Sequence, residues 1–385
     1  MTHLVIVNYA CAPDLQNPDE LLDRYFSLVS WADGLVRAGA QVTVVQAFTQ
    51  GAQRQRRGVT YRFANDGLDP HPRIWQIPYR LHDAVRQAQP DVVHINGLLF
   101  PWQTWALRRR LPHACALVAQ HHAERPWTGP RGVLQRLGLC PLDGFLFTAP
   151  ALAQPWQAAG VIRSSQPIFQ IMEGTSDFRT QPRAEARATT GLAGDPILFW
   201  AGNLDANKDP LTVLHGFEFA LAHLPAARLY MAFRFADLLP TVQAHIAQRP
   251  AVRETVELLG NLPRADIEPY YNSADFFVQG SHHEGSGFAL LDALACGVVP
   301  IVTDIPSFRV LTNNGAWGAF WPPDDSRALA AALVSCAQRP LEPQRAAVTD
   351  FFDARLSIPA VGLQALNIYR SLHRRPAGRQ SDGSG

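Results

Sequence analysis

Two stretches concentrate the side chains that do chemistry. SHHEGSGFALLDALACGVVPIVTD, Ser281 to Asp304, carries two carboxylates eight positions apart: Glu284 in a small-residue loop and Asp292 in an apolar segment of helical spacing. An ionised carboxylate only accepts hydrogen bonds, which suits the vicinal hydroxyls of a hexose and of a ribose. Gly285, Ser286 and Gly287, ahead of a helix starting near Phe288, leave backbone N–H groups and the positive end of a helix dipole to face a phosphate or a sugar. Read alone, the same two acids also fit an exposed helix residue and a loop charge. The second stretch is ILFWAGNLDANKDPLTVLHGF, Ile197 to Phe217, in which Lys208 is the sole lysine among 34 lysines and arginines. A compact ammonium kept at a strand-end loop, in a chain that otherwise uses arginine, suits a diphosphate leaving group.

Other candidates sit in the first half and near the end. His121 and His122 close the strand ALVAQHHAERP, where an imidazole can hydrogen-bond a sugar hydroxyl or assist proton transfer, and where a local polar contact is the plainer reading. His94, in DVVHINGLLFP, reads as structural. Asp324 and Asp325 follow two prolines before an alanine-rich segment, which predicts helix N-capping rather than a metal site.

These residues need a scaffold that presents strand ends. Short apolar runs alternate with amphipathic segments throughout, the pattern of parallel sheets flanked by helices. LVIVN, VTVVQ, VTYRF, DVVHI, ALVAQ, FLFTA and IFQIM read as strands of a first domain, and ILFWAG, RLYMAF, TVELLG, ADFFVQG and VPIVTD as strands of a second. DELLDRYFSLVSWADGLVRAG reads as one helix closed by Gly39. A polar, Gly- and Pro-interrupted segment after Met172 is the expected crossing. The expected division is 1–178, 179–348, terminal helices over 349–375 bent near Pro359, and a disordered tail over 376–385.

The Ser281–Asp304 stretch resembles the E-x7-E signature of family-four glycosyltransferases of the GT-B fold. Glu284 stands at the first acid, which the resemblance implies binds the donor hexose. Asp292 stands at the second, implied to hold the ribose, with Asp for the usual Glu shortening the reach by one methylene. Ile197–Phe217 resembles the family's G-R-L-x-x-x-K diphosphate motif: Gly202, Leu204 and Lys208 match, while Asn203 replaces the Arg and leaves Arg234 as a weak substitute. Gly260, Asn261 and Leu262 stand where the family's backbone reads the nucleobase. His122, rather than His121, matches the family's strand-end histidine. The usual Gly-Gly loop after the first strand is absent, with NYACAPDLQNP in its place. The match is specific from Ile197 to Trp321 and topological from Met1 to Phe178.

The resemblance implies an α/β protein of two Rossmann-like doubly wound domains facing a cleft, with the C-terminal helix packing back toward the first. It implies a retaining hexosyltransferase that uses a UDP- or GDP-linked sugar and a glycan, lipid-linked or small-molecule acceptor, with neither metal nor resident cofactor. Catalysis would fall to Glu284, Lys208 and His122. Donor binding would involve Gly202, Asn203, Lys208, Gly260, Asn261, Leu262, Glu284, Gly285, Ser286, Gly287, Phe288 and Asp292. A nucleotide-sugar epimerase of the same fold and a catalytically silent sugar-nucleotide-binding protein remain alternatives.

Composition narrows the field. A chain of 385 residues predicts two domains, and 47% hydrophobic with 17% charged residues describes a globular protein. The net charge of +1 argues against a nucleic-acid binder. Five scattered cysteines, without metal spacing, fit a reducing cytosol. MTHLVIVNYA reads as a buried strand rather than a signal peptide, and no run is apolar enough for a bilayer. The expected location is cytoplasmic. Two basic clusters, Arg54 with Arg56 and Arg57, and Arg108 to Arg110, face solvent or provide peripheral contact with anionic head groups at the inner membrane face.

Overall fold

The computed structural model describes residues 1–68 and 75–373; the tail expected over 376–385 lies outside the described residues. The chain divides into two compact units. One is Met1–Gly174 with the chain from Ile358 onward, and the other is Thr175–Ser357.

The first unit is built on an eight-stranded sheet: β1 (His3–Asn8), β2 (Gln41–Ala47), β3 (Ala52–Arg56), β4 (Val59–Ala64), β5 (Val92–Asn96), β6 (Ala116–Gln120), β7 (Gly144–Phe147) and β8 (Ile168–Gln170). Their order is β3-β4-β2-β1-β5-β6-β7-β8, with only β3 antiparallel to its neighbour. Helices cover both faces of such a sheet, so central strands such as Leu4–Val7 and Leu117–Ala119 are apolar at every position and buried. The order reverses direction between β1 and β5, which places the ends of those strands at the unit's topological switch point.

Strand β3, AQRQR, is absent from the sequence reading because an exposed edge strand has no apolar face to betray it. It returns to β4 through Arg57 and Gly58, both at positive φ (50° and 82°), as a two-residue hairpin loop demands. The expected single helix is two, Pro18–Arg24 and Phe26–Arg37, broken at Tyr25 (φ −93°, ψ 46°). Gly39 closes the second at φ 92°, with its N–H on the Val36 carbonyl and that of Ala40 on Leu35.

The terminal helix Ile358–His373 belongs to this unit and lies along Phe26–Arg37, where Gly34 and Gly362 meet so closely that neither has room for a Cβ. The Tyr369 hydroxyl sits against His94 Nδ1 in the unit's interior. Burial, with the nearby His122 charge adding to it, pushes the pKa of His94 down to about 3, so it is neutral and structural. The helix break falls at Ser357, after a wide turn over Phe352–Leu356, and Pro359 occupies the first turn of the new helix, where proline is tolerated.

The second unit has six parallel strands: β9 (Ile197–Gly202), β10 (Arg228–Phe233), β11 (Val256–Gly260), β12 (Phe276–Gln279), β13 (Val299–Thr303) and the short β14 (Ala319–Trp321), ordered β11-β10-β9-β12-β13-β14. Its core packs Leu198, Trp200, Phe276, Val278 and Ile301 against Leu214, Phe217 and Leu329 of the flanking helices. The sheet grows outward in both directions from β9 and β12, so their carboxyl ends form the switch point of this unit.

Candidate active site

The loops that follow β9 and β12 carry the two sequence motifs, and pairing of these strands brings the loops together. Phe276 and Phe277 of β12 are in register with Leu198 and Phe199 of β9. Asn207 then bridges the loops: its carbonyl accepts from the His282 N–H at 2.9 Å, its Oδ1 from the His283 N–H at 3.1 Å, and its Nδ2 donates to the His283 carbonyl at 3.1 Å. Gly280 permits this closeness, since a Cβ there would lie 3.1 Å from the Asp209 carbonyl oxygen and 3.2 Å from that of Lys208.

At this crossing the Lys208 ammonium donates directly to Glu284 Oε1. The two side chains are only 16% and 12% exposed, so each charge is largely withdrawn from water and compensated by the other. The Lys208 N–H is itself held by Asp205 Oδ1 at 2.9 Å. Seventy-six positions of chain separate these residues, and only strand adjacency unites them.

Gly285, Ser286 and Gly287 are buried, and the helix Phe288–Ala295 starts directly after them. Gly287 has φ 66°, and a Cβ there would meet the Phe308 ring at 2.8 Å, so both backbone and space require glycine. Ser307 Oγ donates to the Glu284 carbonyl at 3.2 Å, fixing the loop from the other side.

Asp292 is one helical turn into that segment, and its partners differ from those of Glu284. Its Oδ1 accepts from Ser176 Oγ at 2.5 Å, and Arg264 reaches both carboxylate oxygens at 3.1–3.3 Å. Arg264 also binds Asp177 Oδ1 at 2.6 Å and stacks over Phe178 at 4.3 Å. Burial raises the Asp292 pKa, and the Arg264 charge and the hydrogen bonds from Arg264 and Ser176 oppose that rise. The two acids therefore belong to two neighbouring ion clusters rather than to one carboxylate pair.

Arg264 was missed in the sequence, although it follows Gly260, Asn261 and Leu262 at the start of helix Arg264–Ser273. A basic residue just past a strand-end loop was its available signal. Arg234 is exposed beside Phe235, with no carboxylate partner among the described residues. Asn203 and Gly202 are half-buried at the end of β9, and Asn261 is exposed after β11.

Asp325 caps helix Ser326–Ala337 by accepting from the Ala328 N–H at 2.9 Å. Asp324 does something else. With Asp209 and His282 it brings three potential metal-ligand atoms within 4.8 Å of one another. Asp209 also caps helix Pro210–Ala220 through Thr212, and the Asp324 side chain is 79% exposed.

In the first unit, His122 lies just past β6. Its Nδ1 meets Glu173 Oε2 at 2.6 Å and its Nε2 meets Asn96 Oδ1 at 2.5 Å, so both ring nitrogens face acceptors. Burial depresses the imidazole pKa, but the hydrogen bond to Glu173 and the charges of Glu173 and Glu124 outweigh it, and the net shift is upward. This arrangement favours an imidazolium. His121 is buried, stacked on Phe147 at 4.7 Å with its Nε2 on the Glu124 carbonyl, and burial lowers its pKa. At the end of β1, where a Gly-Gly loop was absent, Tyr9 turns inward and its hydroxyl meets His82 Nε2 at 3.0 Å.

The sequence matches known proteins in both units. A family model described as Glycosyltransferase Family 4 matches residues 27–162, and one described as Glycosyl transferases group 1 matches residues 195–339. A GDP-mannose:cellobiosyl-diphosphopolyprenol alpha-mannosyltransferase from Xanthomonas oryzae is 30% identical over 247 residues, so the match spans 61% of this chain and 61% of that relative. Sucrose-phosphate synthase from Thermosynechococcus elongatus shares the fold at a TM-score of 0.67 and 17% identity, over 97% of this chain and 99% of that one. Anabaena Alr3699/HepE, solved with UDP and glucose, does so at 0.67 and 16%, over 96% and 100%. Glycosyltransferase models matched in each unit, with the fold shared along nearly the whole length, support a group 1 glycosyltransferase of the GT-B fold.

Proposed function

We propose that this protein transfers a hexosyl unit, with retention of anomeric configuration and without a metal ion, from a nucleotide-diphosphate sugar to a glycan, lipid-linked or small-molecule acceptor. The observation that carries the reading is the contact of Lys208 with Glu284 at the switch point of the second sheet. A diphosphate entering beside them draws the ammonium toward its oxygens. That releases the Glu284 carboxylate to accept from hexose hydroxyls.

The amides at the start of helix Phe288–Ala295 meet the same phosphates. As the anomeric C–O bond breaks, its electron pair passes to the β-phosphate oxygen, where the Lys208 charge stabilises it. The acceptor hydroxyl attacks from the leaving-group face and gives its proton to a phosphate oxygen. Asp292 holds the ribose through Oδ2, which has only one contact with Arg264, while Gly260, Asn261 and Leu262 border the nucleobase.

His122 has no nitrogen left to act as a base. Its part is to order the strand end in the acceptor-binding unit, with both ring nitrogens engaged.

The Xanthomonas relative is named for GDP-mannose and a diphosphopolyprenol, and the Anabaena structure holds UDP and glucose. Both names favour a hexose donor, and the first favours a lipid-linked acceptor. Incubation with a panel of UDP- and GDP-hexoses in EDTA tests the reading. Release of free nucleotide, raised by an acceptor, supports it. An epimeric sugar nucleotide indicates isomerisation instead, and binding without turnover indicates a sensor.

A further inference from the structure

Apart from Arg109, the basic clusters singled out in the sequence are spent inside the first unit. Arg54, Arg56 and Arg57 pair with Asp19, Asp23 and Asp33, and Arg110 pairs with Asp83. Arg108 turns to the carbonyls of Cys115 and Pro112. A different surface carries exposed charge together with exposed apolar side chains.

Helix Gly129–Leu139 buries Gly132, Gln135, Gly138 and Leu139 and exposes Val133 (44%), Leu134 (42%) and Leu137 (61%). At about 100° per residue, these three fall within about 100° of the helix circumference. Arg136 lies about 60° beyond one edge of that strip and Arg131 about 60° beyond the other. Both arginines are exposed, and neither has a carboxylate partner among the described residues. Apolar side chains centred between two long cationic ones are the arrangement in which a helix lies in a bilayer interface with its arginines reaching the head groups.

The neighbouring helix, Pro101–Arg108, packs closely enough that Gly138 has no room for a Cβ against Pro101. Beside it Leu99 (38%) and Trp102 (37%) are exposed, with Trp102 stacked on Trp105 and Arg109 over the Trp105 ring. Charge supplies the second argument. Of the six arginines between Leu98 and Leu142, Arg108 and Arg110 are paired internally, while Arg109, Arg125, Arg131 and Arg136 are exposed with no carboxylate partner among the described residues, and the stretch holds one carboxylate, Glu124. Glu124 turns inward, holding the N–H groups of Leu98 and His122.

We infer that the outer face of helix Gly129–Leu139, with Val133, Leu134 and Leu137 flanked by Arg131 and Arg136, docks the protein on an anionic membrane surface. No described helix is long and apolar enough to cross a membrane. The inference does not depend on the donor chemistry.

The full chain is sedimented with phosphatidylcholine vesicles prepared with and without phosphatidylglycerol. It pellets with the anionic vesicles and stays in solution with the neutral ones, and added salt releases it. Arg131→Gln/Arg136→Gln lowers partitioning roughly thirtyfold, from about 1 kcal/mol per arginine. Leu134→Glu/Leu137→Glu lowers it at least tenfold while the thermal midpoint and gel-filtration volume stay unchanged. Absence of pelleting, or pelleting indifferent to lipid charge and to both variants, overturns the inference. So does a wild-type dimer that Leu134→Glu/Leu137→Glu converts to monomer, which would assign the face to a second copy of the chain.

Discussion

Removing the Lys208 ammonium tests the donor site most directly. In the structure its charge is shared with Glu284 and largely shielded from water, so an effective dielectric near 20 is appropriate. A phosphate oxygen at about 4 Å is then worth ~4 kcal/mol of gross attraction. Part of that is surrendered as the ammonium leaves Glu284. If about half survives, ~2 kcal/mol of transition-state stabilisation is lost in Lys208→Ala, or roughly thirtyfold in kcat/KM for nucleotide release. The single variant also strands a mostly buried carboxylate, so its thermal midpoint falls. Lys208→Ala/Glu284→Ala removes that penalty and restores the midpoint, but leaves turnover at or below that of Lys208→Ala. Steady-state nucleotide release with scanning calorimetry separates the two effects. A Lys208→Ala enzyme within threefold of wild type, or a double variant more active than the single one, would refute the reasoning.

Arg264→Met leaves Asp292 buried without its cation and costs about 3–5 kcal/mol of stability, read in urea unfolding, whereas Arg264→Met/Asp292→Leu recovers most of it. His122 has a raised folded pKa, so its pairing with Glu173 stabilises the fold below the ordinary value of 6.5 and that contribution is lost as pH rises through the folded value. Thermal midpoints across pH 5 to 9 show this step in the wild type and not in His122→Asn; turnover unchanged in His122→Asn removes the residue from the mechanism. His94 is the opposite case: its pKa falls to about 3 in the fold, so its contribution is present above pH 6.5 and lost progressively as pH drops toward 3. Acid unfolding followed by circular dichroism is shallower in His94→Gln.

The scaffold was legible where burial imposes a pattern. Strands such as LVIVN and ILFWAG, enclosed on both faces by helices, must be apolar at every position, and they emerge within a residue or two of their observed bounds. Strand β3 was not legible, because both its faces meet water and only its hairpin loop has a conformational demand. Strand β14, three residues long, is too short for any period to appear. The break at Tyr25 escaped for a different reason. Both helices around it are apolar on the same side, and a continuous stripe hides a change of backbone at one residue.

The site was legible in type and less so in pairing. Glu284, Lys208 and the small-residue loop were found because each is unusual locally: a lone lysine, an acid beside glycines, a helix starting without a side-chain cap. That Glu284 meets Lys208 follows from β9 and β12 being neighbours, which local spacing does not encode. The spacing of Glu284 and Asp292 does not reveal their partners either. Asp292 stands four residues into its helix, about 6 Å further along the axis than Phe288, and its partners are Ser176 and Arg264 rather than Lys208. What Asp292 can offer there depends on Arg264, whose guanidinium reaches both of its oxygens. Shortening Glu to Asp draws the carboxylate back toward its helix, and Arg264, which reaches it, is itself held by Asp177 at 2.6 Å. The departure at position 292 and the arginine at 264 are therefore best understood as one unit, and exchanging either alone breaks their ion cluster.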